Sequence, residues 1–427
     1  MATSVTGTAE TDIPRTVDEV AGASELKARL RKAQRRQRLR AFMLVVPLLA
    51  FILVTFAVPI FMMLYRSVDN PEVVGNIPET AALLAEWDGQ GLPDEPVFAS
   101  MARELGAAAE NRTIGELGTR LNYEESGMSS LMRKTGRRLG RIDEGPWQAA
   151  FLDIDDDWGK TETWSLITNL STPLTSTYYL AALDMRMAAD GSVEAQPEWR
   201  QIYIQLFVRT LWLSLVITAL TLILGYPVAY LMANTPLKYS NLMMILVLLP
   251  FWTSLLVRTT SWIVLLQTQG VLNDIMVFLG ILDDSGRVQL VYNQIGTVVA
   301  MTHILLPFMI LPLYSVMRTI QPTYMRAALS LGANLWTAFW RVYFPQTLPG
   351  VGAGAVLVFI LAIGYYITPA LVGGEDGQLI SNFIAYHMQE SLNWGLAAAL
   401  GTLLLVAVLV LYALYNRLVG VENMKLS

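Results

Sequence analysis

Residues 41–65 form an almost unbroken apolar run, and five further stretches of the same kind follow at 203–233, 241–266, 294–317, 350–373 and 395–418. Each is long enough to cross a bilayer, which needs about 20 residues. In lipid every backbone amide must be satisfied within the protein, so a spanning segment is either a helix or part of a closed barrel. Barrel strands are shorter and alternate apolar with polar residues. These runs do neither, so the chain is expected to be an all-α membrane protein with six crossings. The 15% of charged residues, against roughly 25% in an average soluble domain, agrees with that class.

Charge placement orients the crossings. Lys27, Arg29, Arg31, Lys32, Arg35, Arg36, Arg38 and Arg40 precede the first run. Such a cluster keeps its end of a membrane helix in the cytoplasm. The run exceeds the roughly 7–15 residues of a signal-peptide core, and no small-residue cleavage site follows. Residues 1–40 therefore read as a cytoplasmic basic tail, disordered to about Ala23, and 41–66 as an uncleaved first crossing. Lys238 follows the second crossing, while Arg318, Arg326 and Arg341 lie in the connection after the fourth, whose residues 319–349 include no acidic residue. Arg417 and Lys425 close the chain, with 421–427 as a second cytoplasmic tail. The expected location is a bacterial inner membrane, multi-pass, both termini inside.

Between the first two crossings lie residues 67–200, with 23 acidic and 11 basic residues and no segment able to span. This acidic insert belongs on the extracytoplasmic side and is long enough to bury a small core. Within it Asp153, Asp155, Asp156 and Asp157 form a run. Carboxylates at alternate positions can share a hard cation, but the glycine and distal glutamate of a calcium loop are missing, and a solvated surface is expected. There is no cysteine, which excludes disulfides, thiolate zinc sites and a cysteine nucleophile. His303 and His387 are the only histidines, too few for a His-rich metal site.

The stretch from Met325 to Gly350 carries the clearest functional pattern. Tyr324 to Leu331 suits a short helix stopped by Gly332. Asn334 can cap a second helix. Leu335, Phe339, Val342 and Tyr343 then recur at helical spacing, and Pro345 is expected to end that helix before the next crossing. A helix–turn–helix with an apolar face and no carboxylate suits either a protein partner or the bilayer surface. Farther on, Gly350, Gly352 and Gly354, with Ala353 and Ala355, give one helix a small face for close packing. Pro250, Pro307, Pro312 and Pro369 are expected inside crossings, where neighbouring helices can satisfy the freed carbonyls.

This loop resembles the cytoplasmic loop of ABC-importer permeases, written Glu-Ala-Ala-x-x-x-Gly with Ile-x-Leu-Pro farther on. Ala327, Ala328 and Gly332 match, and Phe344-Pro345 stands near the terminal Leu-Pro; Arg326 replaces the leading glutamate, so no salt bridge there is implied. Arg209-Thr-Leu-Trp-Leu-Ser-Leu and Gly225-Tyr-Pro-Val-Ala-Tyr are similar to the family's opening helix. Leu249-Pro-Phe-Trp-Thr-Ser-Leu-Leu-Val-Arg-Thr, and Gly373-Gly374 with Leu379-Ile-Ser-Asn-Phe-Ile-Ala, resemble its spermidine/putrescine branch. The resemblance covers 41–67 and 174–420, with 71–171 as an insertion.

The resemblance implies a type I ABC importer permease, with a transmembrane domain at 201–420 and ATPase coupling through Arg326, Ala327, Ala328, Gly332, Asn334 and Pro345. It also implies an ABC ATPase dimer, a second permease subunit and a periplasmic solute-binding protein as partners, beside the lipid bilayer. The solute implied is a polyamine; opines and iron are carried by related permeases.

No Gly-x-x-x-x-Gly-Lys-Ser/Thr loop is present to cradle phosphates. The chain is thus not expected to be an enzyme or to bind a cofactor; ATP and magnesium belong to the partner ATPase. The N-terminal basic cluster is explained by topology and anionic lipid, so no nucleic-acid partner is expected. Arg258, about two turns from the outer end of its helix, either snorkels, pairs, or lines the solute pathway. His303 is a packed residue or a pathway residue. Trp252, Trp262, Tyr365 and Tyr366 offer aromatic faces to a cation, or belt and packing surface. An ion-coupled secondary transporter would carry intramembrane carboxylates and inverted repeats. A membrane receptor would carry a cytoplasmic output domain after its last helix.

Overall fold

The computed structural model describes residues 17–140, 142 and 144–419. The expected tail at 421–427 and the first sixteen residues lie outside the described residues. The chain divides into two compact units, Met1–Met63 and Leu64–Ser427. In the first unit, helix begins at Val17, inside the stretch expected to be disordered, and runs to Ile52. Ala, Glu, Leu and Lys dominate residues 21–30, and their helix propensity carries the element back beyond the basic cluster. Leu53–Ala57 is a π turn. It lies just before Pro59, which has no N–H to donate and whose ring would strike the carbonyl of Thr55 in a regular helix. Helix resumes over Val58–Arg66, and Lys32–Arg66 as a whole is long and apolar enough to span.

Further such helices are Tyr203–Asn234, Gln294–Thr319, Leu335–Gly364 and Trp394–Arg417. A sixth candidate is a bent pair, Leu237–Trp252 with Leu255–Phe278, turned by 95°. The expectation of one continuous helix at 241–266 is therefore corrected. Pro250 sits in a tight turn, Leu249–Trp252, rather than inside a crossing, and Thr253 is extended. Ser254 starts the next helix afresh, its hydroxyl accepting the Val257 N–H at 3.2 Å.

The fifth helix also differs from the expected 350–373: it runs Leu335–Gly364, 30 residues, so its N-terminal part can stand outside a bilayer that needs about 20. Pro345 does not end the preceding helix. The chain widens into a π turn over Phe339–Tyr343 and continues as Phe344–Gly364, with Pro345 in the first turn, where a missing N–H costs nothing. The helix stops before Tyr365, and Pro369 falls in a separate short helix, Ile367–Val372. Pro307 and Pro312 do lie within Gln294–Thr319.

The membrane bundle packs Leu213, Ile217, Met301, Leu305, Met309, Leu313, Val358 and Ala362 into one core. The small face works as the composition led us to expect. A Cβ added at Gly350 would come within 3.0 Å of Val316, and one at Gly354 within 2.7 Å of the Met309 sulfur. Only glycine allows Phe344–Gly364 to lie this close to Gln294–Thr319.

The insert has a core of its own. Phe98, Phe151, Trp158 and Trp164 meet edge-on or tilted, with ring centroids 4.6–5.4 Å apart, surrounded by Leu105, Leu117, Leu121 and Met132. The two buried indoles find partners: Trp158 donates to Thr135 Oγ1 at 2.9 Å and Trp164 to the Trp158 carbonyl at 3.0 Å. The chain enters and leaves this globule side by side. Asn70 N–H donates to Pro173 O at 3.0 Å, Thr175 N–H to Val68 O at 2.7 Å, and the Asn70 amide to Leu170 O at 2.6 Å. Residues after the neck pack elsewhere. Tyr178 and Ala182 join Tyr203, Leu206, Ile380 and Leu396 in a separate core, followed by a two-stranded hairpin, Met185–Met187 with Val193–Ala195.

The aspartate run is absorbed by local chemistry. Asp155 accepts from Lys134 Nζ at 2.6 Å and from the Asp157 N–H, and the lysine holds its carboxyl below the usual range. Asp157 pairs with Lys160.

Candidate functional site

The loop after the fourth crossing is built from backbone geometry. Pro322–Ser330 is a helix with proline in its first turn. Gly332 has φ +90°. Its N–H donates to Leu329 O at 3.0 Å and that of Ala333 to Ala328 O at 3.1 Å. That pair of bonds is the Schellman closure, which needs a left-handed residue at the position Gly332 occupies. Asn334 then caps the next helix, its Oδ1 accepting the Thr337 N–H at 2.7 Å. A Cβ on Gly332 would meet nothing within 4 Å. Arg326, Ala327 and Pro345 are exposed and Ala328 is half-buried.

The apolar stripe expected here divides in two. Phe339 and Tyr343 turn inward, edge-on to Tyr230 at 6.0 and 5.2 Å, and Tyr343 is buried. The outward face is instead Leu331 at 88% exposure, Leu335 at 71% and Trp336 at 72%, with Trp336 edge-on to Trp340 at 5.6 Å. Leu331 and Trp336 were missed in the sequence. The signal was there, since Leu331, Leu335, Trp336 and Trp340 recur at helical spacing once the turn at Gly332 is allowed for.

Four of the six membrane candidates converge. Arg258 and Trp262 lie four residues apart, on one face of Leu255–Leu266. The Trp262 indole donates to His303 Nδ1 at 3.1 Å. An indole N–H can only donate, so Nδ1 carries the lone pair and the ring proton sits on Nε2. Arg258 is near enough for its charge to act on both His303 and Tyr365. The short helix beside Tyr365 is held to the same element, with Thr259 and Thr368 hydroxyls 3.3 Å apart. Tyr366 is partly exposed, its carbonyl taken by the Asn382 amide at 2.8 Å. Trp252 stands apart at the bend, 84% exposed.

A polar junction joins the insert to residues 387–391. Arg120, with a side chain 1% exposed, pairs with Glu124 at 2.9 Å and donates to Asn70 Oδ1 at 3.0 Å and Thr177 Oγ1 at 2.7 Å. Its guanidinium also lies over the Tyr178 ring, 4.4 Å from the centroid. Tyr123 O–H donates to Ser391 O at 3.2 Å. The Ser391 hydroxyl is 2.8 Å from His387 Nδ1, and His387 Nε2 is 2.8 Å from the Tyr203 hydroxyl. Burial pushes the His387 ring down to about 4, so it is neutral near neutrality. An open cleft of about 1180 Å³ beside this junction carries both signs of charge, among them Arg66, Glu72, Glu116 and Arg133.

Comparison with known proteins places these features. Residues 222–420 match the family described as binding-protein-dependent transport system inner membrane component. The spermidine/putrescine transport system permease protein PotB of Haemophilus influenzae is 37% identical over 222 residues, covering 51% of this chain and 77% of that protein. Its Escherichia coli namesake is 32% identical over 226 residues, covering 53% and 82%. The inner membrane ABC transporter permease protein YdcU of Escherichia coli is 32% identical, covering 50% and 71%. A solved structure of a bacterial ABC transporter that imports alginate aligns with a TM-score of 0.43 at 21% identity, covering 54% of this chain and 82% of that one. The insert lies outside the family match. With its spanning helices, its loop closed at Gly332 and relatives alike over most of their length, the chain belongs to the family of binding-protein-dependent transport system inner-membrane components.

Proposed function

We propose that the chain is one of two permease subunits in an ATP-driven importer of a small cationic solute of the spermidine/putrescine kind. A solute-binding protein delivers the solute at the outer face, with the insert contributing to its docking. ATP and magnesium are used by a separate ATPase dimer. The membrane helices alternate between inward and outward openings, a two-state equilibrium that ligands bias. Both termini and the 319–349 loop face the cytoplasm, in line with the basic residues that flank them.

The observation that carries this reading is the loop itself. A helix closed by Gly332 and recapped by Asn334 presents Leu331, Leu335 and Trp336 to water while keeping its polar backbone satisfied. Large apolar side chains so exposed outside the lipid fit a groove on a partner protein. Arg326, Ala327, Ala328 and Pro345 lie along the same segment and are assigned to that contact. The test is uptake of labelled spermidine or putrescine by vesicles holding the full complex. No ATP-dependent uptake of either by an assembled complex refutes the solute.

A second reading, another solute such as an opine, is favoured by one observation. Asp274 is the only acidic residue in the membrane-spanning helices, and it is tied to Arg287 at 2.7 Å. A polycation finds no unpaired carboxylate along the described membrane-spanning helices.

A further inference from the structure

Arg258 is partly buried, and no carboxylate pairs with it among the described residues. Its Nε is buried without a hydrogen-bond partner. The guanidinium is always protonated. Two other arginines near span ends find backbone acceptors: Arg209 donates to Glu375 O at 3.1 Å and Arg318 to Ala233 O at 3.0 Å.

Arg258 is the fourth residue of Leu255–Leu266, one turn before Trp262. Trp262, on the face of Arg258, bonds to His303, which lies nine residues into Gln294–Thr319. At 1.5 Å per residue that is about 14 Å along the axis from the helix start. The bend at Thr253 and Ser254 sets Arg258 one turn from Trp262, near enough for its charge to reach His303 and Tyr365. His303 cannot offset the charge, because Nδ1 is occupied by the indole and Nε2 carries the proton. An ionised side chain in a membrane protein is paired or faces a wet pathway.

We infer that Arg258 binds a carboxylate supplied from outside this chain, either by the second permease across the shared pathway or by the solute. The inference rests on the chain's working as half of a two-permease pathway. If the second permease supplies it, Arg258 occupies the carboxylate that a cationic solute must reach, and opening the pathway exchanges one cation for the other. If the solute supplies it, the substrate is an amine that also bears a carboxylate.

The experiment uses the complete complex with Arg258→Met, which keeps the stem and loses the charge, and Arg258→Lys, which keeps the charge. Co-purification of the second permease is measured, together with competition by putrescine and by ornithine, which is putrescine carrying one carboxylate. A carboxylate on the second permease predicts that Arg258→Met weakens assembly by roughly thirtyfold or more, the usual effect of removing one member of a buried ion pair, with partial recovery in Arg258→Lys. A carboxylate on the solute predicts normal assembly and loss of a wild-type preference for ornithine over putrescine. Normal assembly with an unchanged preference overturns the inference. So does an Arg258→Lys variant as impaired as Arg258→Met, because packing rather than charge is then what matters. If the unmutated complex takes up neither amine, the polyamine reading fails by itself, and the assembly measurement still tests Arg258.

Discussion

Replacing Gly332 with aspartate should uncouple the permease from its ATPase without unfolding it. At φ +90° a residue with a Cβ costs roughly 1–2 kcal/mol. A carboxylate at the C-terminal end of Pro322–Ser330 faces the negative end of the helix dipole, for a further ~0.3–1 kcal/mol. No clash within the chain adds to this, because a Cβ there meets nothing within 4 Å. The sum, roughly 1.3–3 kcal/mol, is small beside the stability of a folded domain, so abundance should be normal. Confined to the loop, it corresponds to a roughly ten- to hundredfold loss of the docked conformation, before any collision of the new side chain with the partner. Gly332→Ala isolates the backbone strain and should cost roughly five- to thirtyfold. Arg326→Ala should be milder still, since its exposed side chain holds nothing in this chain. The assay is co-purification of the ATPase with uptake in membrane vesicles. Full uptake by Gly332→Asp at normal abundance would sink the coupling assignment.

Other consequences concern the insert and its junction. Replacing residues 71–171 by a short Gly/Ser linker should leave the membrane core assembled with its ATPase, because the neck already brings the ends of the insert together, with Asn70 N–H 3.0 Å from Pro173 O; failure to assemble refutes this. Arg120→Met leaves Glu124 without its partner, and the loss of a buried pair, about 3–5 kcal/mol, should appear as faster proteolysis of the insert at its junction; an unchanged rate means that the junction bears no strain. His387 has a folded-state value of about 4 against an ordinary 6.5. Its neutral form contributes stability that is fully present above about 6.5 and is lost as the pH falls towards about 4, since the unfolded chain takes up the proton first. Hydrogen exchange around Ser391 should therefore quicken across that window, and much less so in His387→Gln.

Much of the fold was legible because it follows from local necessity. An apolar run in lipid must be helical, whatever lies beside it. Gly332 and Asn334 are likewise local devices: the bonds they close span five residues or fewer. The all-α class, the insert and the turn at Gly332 could all be read from such rules. What lay beyond reach depends on residues far apart in the chain. Asn70 meets Leu170 a hundred positions away, and that bond turns a stretch of acidic sequence into a globule on a narrow neck. Whether Phe339 faces water or Tyr230 is settled by a helix more than a hundred residues earlier, so a periodic stripe alone assigned it to the wrong surface. The 95° bend depends on how Pro250 and Ser254 combine, and the bend brings Arg258 and Trp262 to His303. Helical periodicity states which residues share a face; only packing against distant elements states what that face meets.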